Sequence, residues 1–375
     1  MPLPRVVVER GAPYTGSMPE RVLVAMSGGV DSAVTAALLH RQGYDVVGVT
    51  LRLYTEPDET VISSGRTCCG IEDVGDARAA AQAIGIPHYV LNMEREFERD
   101  VVDAFVDAYS NGRTPNPCLN CNQYVKFDTL LQRALAMGVD RLATGHYASI
   151  ERDGDVHRLH RATDEAKDQS YVLYTLSQDA LRRTLFPLGG MTKAETRAVA
   201  REAGLPLADK PDSVDICFVP GGDYREFVAG RGLVSEPGVI ERTDGTVAGT
   251  HAGIASYTVG QRRGLGIAEG ERRFVTDIDA RRNVIVIGDE RDLHRRRVVA
   301  SAPHWVVDEP ALGEPLLARI RYHAEGAQAR VVRLDADGFE VEFSAAVRAP
   351  APGQAIVLYR GQEVVGGGVI ERAER

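Results

Sequence analysis

The sequence predicts an α/β protein: a doubly wound parallel sheet, followed by a small linking domain and a C-terminal all-β barrel. Three observations carry this. Between Arg21 and Ala148, short apolar runs alternate with apolar-periodic stretches of helical length, the pattern of strands joined by crossover helices. Beyond Gly221 the helical period fades into short alternating runs separated by glycine-rich turns. At 375 residues the chain also exceeds what one core ordinarily holds, so two or three domains are expected.

The elements follow in order. Met1 to Pro19 has no periodicity and reads as an extension, with Met18 an alternative start. Val22 to Met26 is a buried strand, Ala33 to Leu39 is helical, and Ser27 to Ser32 is the turn between them. Gly43 closes that helix and Val46 to Leu53 forms a second strand, which completes a right-handed crossover. A polar stretch, Thr55 to Thr67, leads to Cys68-Cys69-Gly70. Val74, Ala77, Ala81 and Ile84 mark a helix from Glu72 to Ile84, and His88 to Leu91 is a third strand. A long amphipathic helix runs from about Glu94 to Tyr109 and stops at Asn111-Gly112.

Thr114 to Asn122 holds two prolines and reads as a stiff exposed loop, with helix resuming from Lys126 to Ala136 and a strand from Arg141 to Ala148. Ser27 to Ser32, Leu51 and Gly145-His146 all fall at carboxyl ends of parallel strands, where ligands of such sheets bind. Arg161 to Leu207 reads as loop and helix, with Thr192 and Glu195 forming a capping box, and Asp212 to Phe218 closes the domain. The expected boundaries are 1–19 for the extension, 20–218 for the catalytic domain, 219–291 for the linking domain and 292–375 for the barrel. Within the last two, Gly253 to Val259, Asn283 to Ile287, Leu316 to Tyr322, Ala329 to Leu334, Gly338 to Phe343 and Ala355 to Tyr359 read as strands. Thr243-Asp-Gly245 and Asp335-Ala-Asp-Gly338 read as turns.

Composition narrows the function classes. Hydrophobic residues at 44% and charged residues at 26% are ordinary for a globular protein. No apolar run is long enough to span a membrane and Met1 to Pro19 lacks a signal-peptide core, so a cytoplasmic protein with no membrane partner is expected. The net charge of -9 argues against an overall basic coat, but local pairs such as Arg262-Arg263, Arg272-Arg273 and Arg295-Arg-Arg297 could grip phosphates. Five cysteines, without a secretion signal, do not read as a disulfide framework.

The turn at Ser27 to Ser32 is built to hold a phosphate. Gly28 and Gly29 let backbone N–H groups close on an anion, the helix N-terminus adds donors and partial positive charge, and Ser27 and Ser32 add hydroxyls. It is not a Walker loop, because it is short and has no lysine. Cys118 and Cys121 form a C-x-x-C pair, with Cys217 about a hundred residues later. A structural zinc site lacks an evident fourth ligand, and buried inert thiols suit Cys68 or Cys69 better than cysteines beside prolines. Redox-active sulfur chemistry is the third reading.

The loop resembles the pyrophosphate-binding loop of the N-type ATP pyrophosphatases (PP-loop, adenine nucleotide alpha hydrolase-like fold). Taken with Cys68-Cys69-Gly70, Gly112-Arg-Thr-Pro-Asn-Pro-Cys118-x-x-Cys121-Asn122, Lys126-Phe127, Ala143-Thr-Gly-His-Tyr147, Lys167-Asp-Gln169, Asp215-Ile-Cys217-Phe218 and Tyr257 to Gly266, it is similar to the bacterial tRNA-specific 2-thiouridylase family from about Arg21 to Glu371. The resemblance implies ATP-dependent 2-thiolation of the wobble uridine of lysine, glutamate and glutamine tRNAs. Uridine O2 is adenylated, and sulfur then arrives from a persulfide on Cys217, with Cys121 as nucleophile. It also implies ATP with Mg2+ as cofactor, tRNA as partner, a cysteine desulfurase or sulfur-relay protein as sulfur donor, and a cellular reductant.

Residue by residue, the resemblance puts Ala25, Met26, Ser27, Gly28, Gly29, Val30, Asp31, Ser32, Leu51 and Gly145 on ATP, and Asn116, Pro117 and Cys118 on the base. It puts His146, Lys167, Asp168, Gln169, Arg321, Tyr322 and Gln354 on the tRNA. Some members of the family carry an aspartate, the proposed acid/base partner, where this chain has Cys118. Cys118, Cys121 and Cys217 as ligands of a [4Fe-4S] cluster are therefore an alternative. Two rivals remain: another ATP pyrophosphatase acting on a small molecule, which would have no use for Cys121 and Cys217, and a non-catalytic RNA-binding protein, which leaves the nucleotide loop without a purpose.

Overall fold

The computed structural model describes residues 18–54, 71–212, 216–219, 223–232, 236–267 and 271–374. The expected extension before Met18, the polar stretch Thr55 to Thr67 and Cys68-Cys69-Gly70 lie outside the described residues. Contacts divide the chain into two compact units, 1–100 with 119–222 and 362–364, and 101–118 with 223–361 and 365–375.

The first unit is built on a five-stranded sheet with β1 (Arg21–Ala25), β2 (Asp45–Arg52), β3 (His88–Asn92), β4 (Arg141–Thr144) and β7 (Thr184–Leu185) in the order β3-β2-β1-β4-β7. All pairings are parallel, with Val24 opposite Gly48 on one side and Ala143 on the other. Helix α1 (Val30–Arg41) buries Ala33, Val34, Ala36, Ala37 and Leu39 against β1, while α2 (Ile71–Ile84) adds Ala77, Ala80 and Ala81 to the same core. Each fully buried valine or leucine contributes roughly 1.5–3 kcal/mol. Because β2 and β4 flank β1 on opposite sides, the loops leaving β1 and β4 emerge side by side at the switch point of the sheet.

β4 ends at Thr144, earlier than expected. The chain turns at Gly145-His146 and enters an antiparallel hairpin of β5 (Ala148–Asp153) and β6 (Val156–Arg161) that the sequence did not announce. Ser149, Glu151, Arg152, Arg158 and His160 make that ribbon too polar to read as sheet. Arg158 ties it down by ion pairs to Asp153 and Glu363.

The largest departure concerns Thr114 to Asn122. The long helix α3 (94–110, with a π-helical stretch Glu98–Val102) stops as expected, but helix resumes already at Pro117. The second run, α4, joins Pro117–Asn120, a π-helical stretch Cys121–Leu130 and Leu131–Ala136. Pro117 occupies the first helical position, where its missing N–H costs nothing, and Asn116 Oδ1 caps the Cys118 N–H at 3.1 Å. The cysteine pair therefore sits in helix, not in loop. α5 (Lys193–Glu202) opens with the expected capping box, Thr192 and Glu195 bonding reciprocally.

The second unit holds a four-stranded sheet and a barrel. β8 (Gly238–Arg242), β9 (Val247–His251), β10 (Phe274–Asp279) and β11 (Val284–Gly288) pair in the order β10-β11-β8-β9, with the hairpin turn at Thr243-Asp-Gly245 and Gly245 at φ +84°. Gly253 to Val259 is not a strand but contains the 3-10 turn Ile254–Ser256. Gly253 at φ +147° is a backbone state outside the strand range and breaks the ladder there. β12 (His294–Trp305), β13 (Pro315–Arg319), β14 (Ala327–Leu334), β15 (Gly338–Arg348), β16 (Ala355–Arg360) and β17 (Glu363–Glu374) form the antiparallel barrel, closed by pairing of β12 with β17. Phe339, Val341, Phe343, Ile356 and Leu358 fill it. Among the described residues no helix is long and apolar enough to cross a membrane.

Candidate active site

The turn after β1 is held open by its own hydroxyls. Ser32 Oγ accepts the Ser27 N–H at 3.1 Å and donates to the Gly29 carbonyl at 3.1 Å, with Ser27 Oγ 3.5 Å away. Gly28 adopts φ +73°, and a Cβ there would meet the Asp73 carbonyl at 2.4 Å. Gly145, on the loop after β4, approaches so closely that a Cβ would lie 2.7 Å from Ser32 N and 2.8 Å from Asp31 C. Gly29 offers no side-chain cap to α1. The helix's first N–H groups, its dipole and two serines thus converge on one anion-sized turn. Met26 and Leu51 are both buried.

The turn carries no lysine, but two arrive from far along the chain. Lys193 Nζ donates to both Asp31 oxygens at 2.8 Å, and Tyr147 Oη donates to Oδ1 at 3.0 Å. Lys193 also lies 2.8 Å from Asp212, which Lys167 reaches at 2.9 Å and Arg197 at 3.1 Å. Lys210 Nζ donates to the Gly28 carbonyl at 3.0 Å, to Asp73 at 2.7 Å and to Asp76 at 2.6 Å. Burial pushes the Asp212 carboxyl up, but its hydrogen bonds from Lys193 and Lys167 outweigh that and hold it below the usual range. Burial opposes the charge on Lys210 in the same way and is outweighed by Asp73 and Asp76, so its pKa is raised. Burial, reinforced by the Asp31 charge, raises the Tyr147 hydroxyl far above its ordinary value and keeps it a donor. Sequence reasoning missed Lys193, Arg197, Lys210, Asp73, Asp76 and Asp212 as parts of this site.

Cys118 is exposed and Cys121, the first residue of the π-helical stretch, is buried. Asn122 is fixed by donating to the Val172 carbonyl at 2.9 Å and by accepting from Lys126 Nζ at 2.9 Å. Cys217 has intermediate exposure, and its carbonyl accepts from Tyr54 Oη at 2.8 Å. The adjacent Phe218 packs edge-to-face on Phe97 at 5.5 Å, and the Glu94–Phe97 turn of α3 packs on the Cys121–Leu130 stretch of α4. The segments bearing Cys121 and Cys217 therefore border the same helical turn of the first unit. No three metal-ligating side chains gather among the described residues.

Residues 20–221 match the family model for the tRNA methyl transferase HUP domain, 225–289 the tRNA methyl transferase PRC-barrel domain and 295–370 the aminomethyltransferase beta-barrel domain. The tRNA-specific 2-thiouridylase MnmA of Carboxydothermus hydrogenoformans is 48% identical over 358 residues, 94% of this chain and 98% of its own. The chain belongs to the tRNA-specific 2-thiouridylase family. Other thiouridylases agree: that of Heliobacterium modesticaldum is 48% identical over 95% of this chain and 93% of its own, and that of Geobacter metallireducens 46% over 94% and 97%. A solved 4-thiouridine synthetase–RNA complex with bound ATP is 17% identical over 56% of this chain and 50% of its own, with a TM-score of 0.32.

The remaining residues that the thiouridylase resemblance points to take varied positions. In the first unit, His146 lies between the Phe127 and Phe186 rings at 5.9 Å each, with Nδ1 2.6 Å from Thr144 Oγ1. Burial first, and the Lys126 charge second, push its pKa well down, so the ring is neutral. Asp168 is buried and accepts from the Ala162 and Ser170 N–H groups, the Ser170 hydroxyl and Arg161. Its side chain builds the turn rather than facing outward. Gln169 Oε1 accepts the Tyr147 N–H at 2.9 Å. In the second unit, Arg321 donates to the Ala349 carbonyl at 2.6 Å, the Tyr322 ring lies against His323, and the Gln354 amide donates to the Thr114 carbonyl at 2.8 Å. Arg297 is paired with Glu340 and Glu342, whereas Arg262, Arg272 and Arg273 line a recess with Glu271.

Proposed function

We propose that this chain is an ATP-dependent tRNA 2-thiouridylase that modifies the wobble uridine, with lysine, glutamate and glutamine tRNAs as substrates. The observation that carries the proposal is that a phosphate-cradling turn and two segments bearing cysteines belong to one compact unit, the two segments bordering one helical turn. Uridine O2 attacks the α-phosphate of ATP, and pyrophosphate departs into the turn at Ser27 to Ser32. There the N–H groups, both serines and Lys193 stabilise the charge that develops. Asp31 is the carboxylate that would hold the Mg2+ carried by ATP, which supplies further neutralisation of the phosphates. Ala25, Met26, Val30, Leu51 and Gly145 line the nucleotide.

The adenylated base now has AMP as a leaving group on C2. The terminal sulfur of a Cys217 persulfide bonds to C2, and AMP leaves with the former O2. The Cys121 thiolate attacks the sulfur remaining on Cys217; the S–S bond breaks, its electron pair goes to the sulfur on the base, and a Cys121–Cys217 disulfide forms. A cysteine desulfurase or sulfur-relay protein recharges Cys217 after a thiol reductant reopens the disulfide. Asn116, Pro117 and Cys118 meet the extruded base, and Cys118 stands in for the acid/base group. His146, Lys167, Gln169, Arg321 and Tyr322 face the tRNA, with Asp168 shaping the turn that carries Lys167 and Gln169.

The test follows AMP release and 2-thiouridine formation by mass spectrometry, with ATP, a persulfide donor and tRNA present or withheld. Release of AMP that depends on tRNA and accompanies 2-thiouridine is expected. AMP formed equally well without tRNA would make the chain a small-molecule synthetase, and tRNA binding without AMP would make it a binding protein only.

A further inference from the structure

Residues 113–116 form a short strap between α3 and α4, and both its ends are closed by local motifs. α3 stops in a Schellman turn: Gly112 takes φ +66°, its N–H reaches the Tyr109 carbonyl at 3.1 Å, and the Arg113 N–H reaches the Ala108 carbonyl at 2.9 Å. At the other end Asn116 caps α4 by accepting the Cys118 N–H.

Between these ends the strap is bound to the barrel of the same unit. Arg113 makes a two-pronged ion pair with Glu371 at 2.9 and 2.8 Å. Thr114 is held by both of its peptide groups. Its N–H donates to the Pro352 carbonyl at 2.8 Å, and its carbonyl accepts from the Gln354 side-chain amide at 2.8 Å. Gly353 lies between those two anchors at φ +91°, and a Cβ there would sit 2.8 Å from Thr114 N and 3.0 Å from Arg113 Cβ. Pro115 and Pro117 then fix their own φ angles, so a backbone pinned at Thr114 arrives at Cys118 with few free torsions.

We propose that Gln354, with Gly353 and Glu371, is a positioning residue for thiolation: the barrel turn 352–354 holds the strap so that Asn116, Pro117 and Cys118 present one fixed face to the target base. This rests on the thiolation function proposed above and gives Gln354 a different task from touching tRNA.

The full-length Gln354→Leu variant, which keeps size and removes the donor, tests this through tRNA affinity, single-turnover thiolation at saturating tRNA, and iodoacetamide labelling of Cys118 mapped by mass spectrometry. The expected result is tRNA affinity within about 2-fold of the parent, thiolation slowed about 10- to 100-fold as befits a misplacement near 1 Å, and an altered Cys118 labelling rate. Gly353→Ala, which drives a Cβ into the strap, should act in the same direction, and if it does not fold the first variant decides alone. Weakened tRNA binding with the saturating rate retained would overturn the proposal and return Gln354 to the tRNA surface. If the parent protein itself makes no 2-thiouridine, the enzymatic function fails separately. The labelling comparison still judges the strap, and unchanged labelling in Gln354→Leu overturns it.

Discussion

Lys193 meets the loop carboxylate with both oxygens in reach and shares its charge with Asp212. It supplies the cation that the turn itself lacks, so Lys193→Met should slow tRNA-dependent AMP release about 10²- to 10³-fold, the loss expected for one preorganised stabilising group. An unchanged rate in stopped assays would show that it only braces Asp31. Asp212 makes a pH prediction. Its folded pKa is depressed, so the stability it contributes is present above the unfolded carboxylate value near 4 and is lost as pH falls through the lower folded value. Asp212→Asn should therefore flatten the acid limb of a Tm-versus-pH curve. At neutral pH it should cost only about 1 kcal/mol, because the group is partly solvated. The turn's glycines, serines and acid were legible because they are contiguous. The lysines were not: Lys193 stands 162 residues from Asp31 and Lys210 stands 182 from Gly28, and nothing in the sequence beside either distinguishes it from a solvated lysine.

At the scale of elements, the start of α4 shows where sequence reasoning went astray. Two prolines and two asparagines between Thr114 and Asn122 read as a breaker, yet the same residues spell a helix beginning, with asparagine at the cap and proline just inside it. Removing the cap by Asn116→Ala should destabilise by about 1 kcal/mol in denaturant melts, and a null result would mean that the barrel contacts alone fix the strap. The π-helical stretch Cys121–Leu130 was invisible because its wider spacing has no signature in a period of 3.6. By contrast, β1, α1, β2, α2 and β3 were legible within a few residues, since each apolar run or helical period is bounded by glycine or a polar turn.

At the scale of the molecule, the succession of parallel sheet, smaller sheet and barrel was legible from the change of period near Gly221. The hairpin of β5 and β6 was not, because its polar faces match neither pattern. A nucleotide that binds only the folded state should stabilise it. ATP with Mg2+ at about 100 times its Kd is expected to add roughly 2.7 kcal/mol, read as a rise in Tm. Gly28→Ala, forced against the Asp73 carbonyl, should abolish that rise; a full rise in this variant would place the nucleotide elsewhere.

The approach of Gly145 to the backbone of Asp31 and Ser32 bears on how such a protein can change over time. The loop leaving β4 meets the first turn of α1 there with no room for a methyl group, the two nearest crowding atoms being main chain that cannot swing aside. A library randomised at codon 145 and selected for growth that requires the enzyme should return glycine alone, whereas randomising Gly43 or Gly138, which face open space, should return many residues wherever their left-handed backbone tolerates them. Invariance at that codon would thus record a steric frontier between a loop and the start of a helix, over and above any contact Gly145 makes with the nucleotide.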